Sequence, residues 1–213
     1  MPNGYIAIVD YGSGNLGSIQ NALQKLGHDS IISNDKNKIK NASRLLLPGV
    51  GAFPVAMTRL DRQNLIEPIL RFAESGKPIL GICLGMQLMM ESSSEFIETK
   101  GLNLISGTVI PLKTLINREI KRRIPNIGWY KVETKETSVK PIILLDLKEE
   151  DYFYFVHSYV CNPLRSEDTI GSTRFGDSFF CSIIARDNIS GIQFHPEKSG
   201  KSGLKILDKL ISS

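Results

Sequence analysis

The sequence predicts an α/β fold: a single domain with a mostly parallel central sheet, helices on both of its faces, and an additional antiparallel or mixed β-rich second half. Three observations predict it. Short apolar runs alternate with helical patterns over residues 5–91. Strand-like runs then follow one another over residues 108–195. The 213 residues are 41% hydrophobic and 23% charged, which is typical of one folded domain spanning 1–213.

In the first half, predicted strands and helices alternate. The predicted strands are 5–9, 31–33, 44–48 and 77–83. The predicted helices are 16–26, closed by Gly27, then 54–75 with a break near Asp61, and a helix that begins in 84–91. Strands that alternate with helices pair in parallel, with helices on both faces of the sheet.

The second half consists mainly of strand candidates, which we expect to extend the same sheet. They lie at 108–112, 130–134, 142–147, 152–160, 169–175, 179–185 and 189–195. A last helix is predicted over 202–211, where apolar residues recur at helical spacing.

Composition and charge argue against several classes of function. The net charge of +4 equals that of segment 113–125 alone, so basic residues are not spread over a face as in nucleic-acid binders. That segment is either a solvated loop or a partner-facing surface. No apolar run reaches the roughly 18 residues of a membrane span, and residues 1–24 lack the Lys or Arg of a secretory signal. Three cysteines indicate a reducing, cytoplasmic location.

The sharpest motif is Gly81-Ile82-Cys83-Leu84-Gly85, between a buried strand and a helix. This context predicts a nucleophile elbow, with the glycines permitting close backbone approach. The Cys83 sulfur would lie at a helix N-terminus, which favours the thiolate. The N–H of Leu84 could face a developing oxyanion. Cys161 and Cys181 lie in strand patterns and are interpreted as core residues.

Of the three histidines, His195 is the best candidate for the base. It begins His195-Pro196-Glu197 at a strand end, and a carboxylate two residues away can hold the imidazole in one tautomer. His28 follows a helix end and reads as a surface residue. His157 lies among aromatic residues and is assigned to packing or substrate lining. No cysteine or histidine spacing indicates a metal site, and no cofactor is expected.

Two glycine-containing loops follow predicted strands. Val50 and Gly51 lie in Pro48-Gly49-Val50-Gly51, where backbone N–H groups could form an oxyanion hole. Asp10–Asn15, with Gly-Ser-Gly-Asn at its end, could instead cradle phosphate at a helix N-terminus, so a flavodoxin-like phosphate- or flavin-binding module stays an alternative.

With these motifs in hand, the chain resembles the class I (triad) glutamine amidotransferases. The matching motifs are PGVGAF at 48–53, GICLGMQ at 81–87 and GIQFHPEKSG at 191–200, in the family's order. DYGSGNL, PNIGWY and YFVHSY are most similar to the glutaminase subunits of imidazole glycerol phosphate synthase within that class. The resemblance implies glutamine hydrolysis by a triad of Cys83, His195 and Glu197, with an oxyanion hole at Val50, Gly51 and Leu84.

The resemblance also implies binding residues. Gln87 and the backbone of His157, Ser158 and Tyr159 would hold the amino-acid end of glutamine. Asn15, Asn126, Trp129 and Lys198 would lie at or near the interface with a separate β/α-barrel cyclase, which would receive the ammonia in a heterodimer of histidine biosynthesis. The subfamily usually has His at the position of Asn126 and Asn at that of Tyr130.

Two further alternatives stay open at this point. A paralogous glutaminase, similar to this subfamily, supplies ammonia to an acetamidino-sugar amidotransferase for surface polysaccharide. A stand-alone cysteine hydrolase would turn over esters without a partner. Gln87 and the PGVG loop favour the glutaminase over the hydrolase.

Overall fold

The computed structural model describes residues 4–115, 123–134, 147–148 and 150–212. The strands in these ranges are β1 (Ile6–Val9), β2 (Ser30–Ser33), β3 (Arg44–Gly49), β4 (Ile79–Cys83), β5 (Met90–Ser93), β6 (Thr99–Lys100), β7 (Ile105–Pro111), β8 (Asn126–Tyr130), β9 (Glu133–Thr134), β10 (Phe153–His157), β11 (Tyr159–Pro163), β12 (Thr169–Phe175), β13 (Ser178–Arg186) and β14 (Ile189–Ile192). The helices are α1 (Leu16–Lys25), α2 (Lys36–Asn41), α3 (Phe53–Arg62), α4 (Ile66–Glu74), α5 (Leu84–Leu88) and α6 (Gly200–Ser212).

The centre of the molecule is an eight-stranded sheet in the order β2-β1-β3-β4-β14-β13-β12-β9. The five strands from β2 to β14 run parallel, whereas β13, β12 and β9 are added antiparallel at one edge. The predicted α/β class with a mostly parallel sheet is confirmed.

The sheet is buried on both faces because its strands are apolar at successive positions. Ala7 and Leu45 contribute to the core under α2, α3 and α4. Their neighbours Ile8 and Leu46 contribute to the core on the other face, under α1 and α6. The continuous apolar runs of the sequence therefore mark strands covered on both sides, as predicted.

Four chain segments with polar residues leave the same edge of this sheet. The loop at Asp10–Asn15 follows β1, the Val50–Ala52 loop follows β3, Cys83 ends β4, and His195 follows β14. In a parallel sheet the carboxyl ends of the strands share one edge, and ligands bind there. The topology thus gathers the candidate residues at one place.

The second half differs from the expectation that all its strands extend one sheet. Only β9, β12, β13 and β14 do so. The other strands form a four-stranded sheet, β11-β7-β5-β6, and a two-stranded sheet of β8 and β10. The pattern of apolar and polar residues in a strand indicates which face is buried, but it does not indicate which other strand it pairs with.

The predicted strand 152–160 is two strands. Phe153–His157 pairs with β8, and Tyr159–Pro163 pairs with β7, in different sheets. Ser158 lies between them. An unbroken run of aromatic and β-branched residues hides this change, because both strands have the same residue preference.

Several element boundaries also differ from the predicted ones. The helix predicted in 84–91 ends at Leu88, and Met90 starts β5. The strand predicted at 130–134 lies mainly at Asn126–Tyr130, and the one at 189–195 stops at Ile192. Helix α2 was not predicted, because six residues with a single buried apolar side chain give no periodicity; the Asp35 carboxylate caps it.

The strand predicted at 142–147 lies outside the described residues except for Leu147. Within the described ranges, no helix combines the length and the apolar character needed to cross a membrane.

Candidate active site

Cys83 lies at the sharp turn from β4 into α5. Its backbone has φ 55° and ψ −111°, a conformation that side-chain-bearing residues rarely adopt. A Cβ added to Gly85 would lie 1.6 Å from the carbonyl oxygen of Leu47, and one on Gly81 would lie 2.7 Å from the N of Met86. Only glycine fits at either position, which explains the G-x-C-x-G spacing in the sequence.

His195 and Glu197 form a hydrogen-bonded pair beside this turn. Nδ1 of His195 lies 2.9 Å from Oε1 of Glu197, and both side chains are almost fully buried. Asn15 donates from Nδ2 to the same carboxylate oxygen at 2.7 Å. The carboxylate can therefore hold the imidazole in one orientation, with Nε2 as the nitrogen left for chemistry.

The protonation of His195 depends on its two neighbours. Burial lowers the pKa of His195, but hydrogen bonding and charge from Cys83 and Glu197 outweigh burial and raise the pKa to about 10. Nε2 is buried and has no hydrogen-bond partner of normal geometry among the described residues. A protonated ring at neutral pH pairs with a thiolate and can supply a proton to a leaving group.

A pocket of about 340 Å³ opens over these residues. It brings together nine residues that the sequence analysis selected, namely Val50, Gly51, Cys83, Leu84, Gln87, His157, Ser158, Tyr159 and His195. Glu95, Pro125 and Val156 complete its lining. Glu197 lies behind His195, and it does not line the pocket.

The loop of Val50 and Gly51 is supported by the loop that follows β1. The hydroxyl of Tyr11 donates to the carbonyl of Pro48 at 2.8 Å, and Ser13 Oγ accepts the N–H of Val50 at 3.1 Å. Burial raises the pKa of Tyr11 to about 12, so the hydroxyl stays a donor. Gly51 has φ +104°. Since the N–H of Val50 is engaged, that of Gly51 is the loop donor left for a ligand oxygen.

These contacts also bear on the phosphate-binding alternative. The side chains of Tyr11, Ser13 and Asn15 are all turned onto neighbouring parts of the site. The first loop is therefore a scaffold for the candidate oxyanion loop and for Glu197. Among the described residues, no three His, Cys, Asp or Glu side chains are grouped so that they could hold a metal ion.

Gln87 and His157 both converge on one backbone carbonyl of the pocket wall. Nε2 of Gln87 and Nδ1 of His157 each lie 3.0 Å from the carbonyl oxygen of Tyr159. Burial lowers the pKa of His157 to about 4, so the ring is neutral at physiological pH. His157 thus acts through packing and hydrogen bonding, as a lining residue would.

Glu95 is a pocket residue that sequence reasoning missed. Its side chain is buried, and Oε2 accepts the N–H of Phe53 at 2.7 Å. Burial and the charge of Glu95 raise the pKa of Tyr159, which lies close to the carboxylate. Glu95 stands in a run of serines without a motif, so the only available signal was an acidic residue just after a strand.

The four residues predicted at a partner interface differ in their exposure to solvent. Trp129 is 51% exposed, its neighbour Ile127 is 58% exposed, and Lys198 is exposed. Asn15 is half-buried against Glu197. Asn126 is 1% exposed and hydrogen bonded to His157, so its side chain is not part of the exposed face of β8.

Known proteins resemble the chain over almost its whole length. The sequence model for glutamine amidotransferase class-I matches residues 7–211. The imidazole glycerol phosphate synthase subunit HisH of Sulfurimonas denitrificans is 50% identical over 203 residues, covering 95% of each chain. The protein of the same name from Lactococcus lactis is 44% identical, again over 95% of each chain.

Solved structures show the same fold. A crystal structure of a glutamine amidotransferase superposes with a TM-score of 0.71 at 16% identity, covering 99% of this chain and all of that one. PurLQS from Thermotoga maritima also gives a TM-score of 0.71 at 16% identity, with 98% of each chain covered.

Proposed function

The chain belongs to the class I glutamine amidotransferases, and we propose that it is the glutaminase subunit of an imidazole glycerol phosphate synthase. It hydrolyses glutamine to glutamate and ammonia and passes the ammonia to a synthase partner in histidine biosynthesis. The observation that carries the proposal is the buried His195–Glu197 pair, 2.9 Å apart, beside Cys83 in a pocket that admits a free amino acid.

In the first half-reaction, the Cys83 thiolate attacks the carboxamide carbon of glutamine. The carbonyl oxygen becomes an oxyanion, which the N–H groups of Gly51 and Leu84 stabilise. The protonated ring of His195, with its pKa raised to about 10, donates its Nε2 proton to the amide nitrogen, and the carbon–nitrogen bond breaks as ammonia leaves. A glutamyl thioester on Cys83 results.

In the second half-reaction, His195 is neutral and accepts a proton from water. The resulting nucleophile attacks the thioester carbon, the oxyanion forms again in the same place, and the carbon–sulfur bond breaks. Glutamate leaves and Cys83 returns to the thiolate. Glu197 and Asn15 hold the ring in the required tautomer through both steps.

The amino-acid end of glutamine lies against the opposite wall. Glu95 offers a buried carboxylate for the substrate ammonium, and Gln87 projects from α5 into the same pocket. The carbonyl of Ser158 accepts the N–H of Leu112, and that of Tyr159 accepts Gln87 and His157. This part of the wall is consequently rigid, and rigid groups lose little entropy when they bind substrate.

The acceptor of ammonia is a cyclase subunit with a β/α-barrel, and the two chains form a heterodimer. Relatives that are 44% and 50% identical are named as subunits of a synthase, which supports a separate partner chain. The exposed Trp129 and Ile127 on β8 offer an apolar surface beside the pocket for it. Cys83, Cys161 and Cys181 form no disulfide in the described part of the chain, which agrees with a reducing, cytoplasmic compartment.

The first experiment measures glutamate release by the protein mixed with the histidine-pathway cyclase of the same organism, with and without the cyclase's ribulosyl nucleotide. We expect low activity alone and strong stimulation by partner and nucleotide together. Cys83→Ser should remove essentially all turnover, and Cys161→Ser is the matched control because that buried cysteine lies in β11, away from the pocket lining.

Each other outcome has a defined meaning. Substantial activity of Cys83→Ser would contradict the mechanism. Failure of the cyclase to stimulate, with Cys83 still alkylated by a glutamine analogue, would keep the glutaminase and assign its ammonia to another acceptor enzyme, such as the acetamidino-sugar amidotransferase.

A further inference from the structure

A chain of buried hydrogen bonds runs from β8 to the sulfur of Cys83. Asn126 contacts His157, His157 and Gln87 share the carbonyl of Tyr159, and Gln87 contacts Gln193. Nε2 of Gln193 then lies 3.7 Å from Sγ of Cys83. Gln193 is 0% exposed and follows β14 directly, two residues before His195. The mechanism above makes no use of it.

The orientation of the Gln193 amide follows from the chain itself. A backbone carbonyl can only accept, so the group of Gln87 that faces Tyr159 must be its NH₂. The same NH₂ has a second hydrogen and donates it to Gln193 at 3.0 Å, so the atom of Gln193 facing Gln87 must be Oε1. The remaining end of Gln193, its NH₂, therefore faces the sulfur as a donor.

The other end of the chain is anchored in the same way. His157 is neutral because burial lowers its pKa to about 4. Its Nδ1–H donates to the carbonyl of Tyr159, and its Nε2 accepts the NH₂ of Asn126 at 3.0 Å. Tyr159 thus receives two donors, and neither it nor Gln87 can reorient without leaving a buried polar group unpaired, which is costly.

We propose that Gln193 is a positioning residue for the nucleophile: its NH₂ donates to the sulfur of Cys83, and Gln87 locks the amide in that orientation. A donor favours the thiolate, which accepts hydrogen bonds better than the thiol does. It also restricts the side-chain rotation of Cys83, so the sulfur faces the pocket between His195 and the oxyanion loop. The inference rests on the proposed function only in taking Cys83 as the nucleophile.

Gln87 then has two roles that experiment can separate. It lines the substrate pocket, and its amide donates to Oε1 of Gln193 and fixes the orientation of that amide. Loss of Gln193 should lower kcat and leave KM for glutamine nearly unchanged, because Gln193 does not line the pocket. Loss of Gln87 should raise KM as well.

The test is the rate at which iodoacetamide alkylates Cys83 between pH 5 and 10, without glutamine, with the modified peptide identified by mass spectrometry. Gln193→Met keeps the volume of the side chain and removes the donor. We expect alkylation at pH 7 about tenfold slower than in the wild type, with the midpoint of the pH profile about one unit higher. Ile192→Val, a core change in the preceding residue, is the control and should stay within twofold.

Gln87→Met is the second variant, and it keeps the proposal falsifiable if Gln193→Met does not fold. It leaves the Gln193 amide in place but removes the hydrogen bond that fixes its orientation. We therefore expect the alkylation pH profile of Cys83 to shift in the same direction by a smaller amount. An unchanged pH profile in a folded variant, or an equal shift in Ile192→Val, would overturn the proposal. Alkylation needs no glutamine, so it tests the role of Gln193 separately from the proposed function. If Gln193→Met shifts the alkylation pH profile as expected but the wild-type protein has no glutaminase activity, that result would count against the proposed function alone.

Discussion

Asn15 connects the first loop of the chain to the carboxylate that orients His195. Its backbone has φ 72°, in the left-handed region that Asn and Gly tolerate best. Its amide donates to Oε1 of Glu197 at 2.7 Å, whereas Oε2 has no partner among the described residues. Asn15 and His195 are thus the two partners of the Glu197 carboxylate among the described residues, and Asn15 is the one that can hold it in place for His195.

We expect Asn15→Gly to lower kcat for glutamine hydrolysis about tenfold with little change in KM, because glycine keeps the backbone conformation and removes only the amide. Steady-state kinetics of the complex test this. Asn64→Gly is the matched control, since Asn64 also has positive φ (53°) but is exposed between α3 and α4. Equal kcat values for Asn15→Gly and the wild type would contradict the role of Asn15.

His157 makes the stability of the protein sensitive to acid. Its pKa is about 4 in the folded state and about 6.5 in the unfolded chain. Between these values the unfolded chain binds more protons, so the free energy of unfolding decreases as pH falls from about 6.5 to 4. The total decrease in the free energy of unfolding is about 3 kcal/mol, and there is no such decrease above about pH 6.5.

His157→Gln should remove this pH dependence, because its amide can accept from Asn126 and donate to Tyr159 without titrating. Urea unfolding of both proteins at pH 7.5, 5 and 4 measures the pH dependence of the free energy of unfolding. We expect the wild type to lose more stability than the variant over this range, by up to about 3 kcal/mol. Parallel curves for the two proteins would show that His157 does not titrate as proposed.

The turn from β4 to α5 depends on contact between backbones. α5 starts directly at the end of a buried strand and lies against β3, and Gly85 is the residue at which the two meet. The strained backbone of Cys83 is held by this packing on both sides. The turn thereby places Cys83 in the lining of the pocket.

Gly85→Ala should destabilise the protein by about 3 kcal/mol or more, because the added Cβ would lie 1.6 Å from the carbonyl oxygen of Leu47. Thermal and urea denaturation check this. Gly17→Ala in α1 is the opposite control: its Cβ would meet nothing within 4 Å, and alanine should stabilise the helix by about 0.5–1 kcal/mol. A variant Gly85→Ala of normal stability would mean that α5 can move away from β3.

The exposed face of β8 lies beside the mouth of the pocket. β8 pairs with β10, whose last residue, His157, is part of the pocket lining. Along β8 the side chains alternate, so that Asn126 and Tyr130 face inward and Ile127 and Trp129 face outward. A partner bound on the outer face would therefore lie beside the pocket.

We expect Trp129→Ala to weaken stimulation by the cyclase at least tenfold while leaving alkylation of Cys83 in the free protein unchanged. Titration with the partner and the alkylation assay measure the two effects. Leu164→Ala is the matched control, because Leu164 is 79% exposed at the end of β11 away from the pocket. Full stimulation of the Trp129 variant would place the interface elsewhere.

The fold class and the positions of the main polar groups can be predicted from the amino-acid sequence alone. Apolar runs that alternate with helical periods define a parallel sheet, and Cys83 and His195 stand at strand ends with their glycine, proline and glutamate neighbours. These signals are local, because each depends on residues within a few positions of one another in the chain.

The tertiary structure is needed to know which distant groups meet. Glu95 reaches the pocket from the segment after β5, Asn15 reaches Glu197 across 182 residues, and Gln193 reaches Cys83 across 110. It also decided that residues 152–160 divide between two sheets. Strand neighbours and buried hydrogen bonds depend on long-range packing, which a local pattern of apolar and polar residues does not encode.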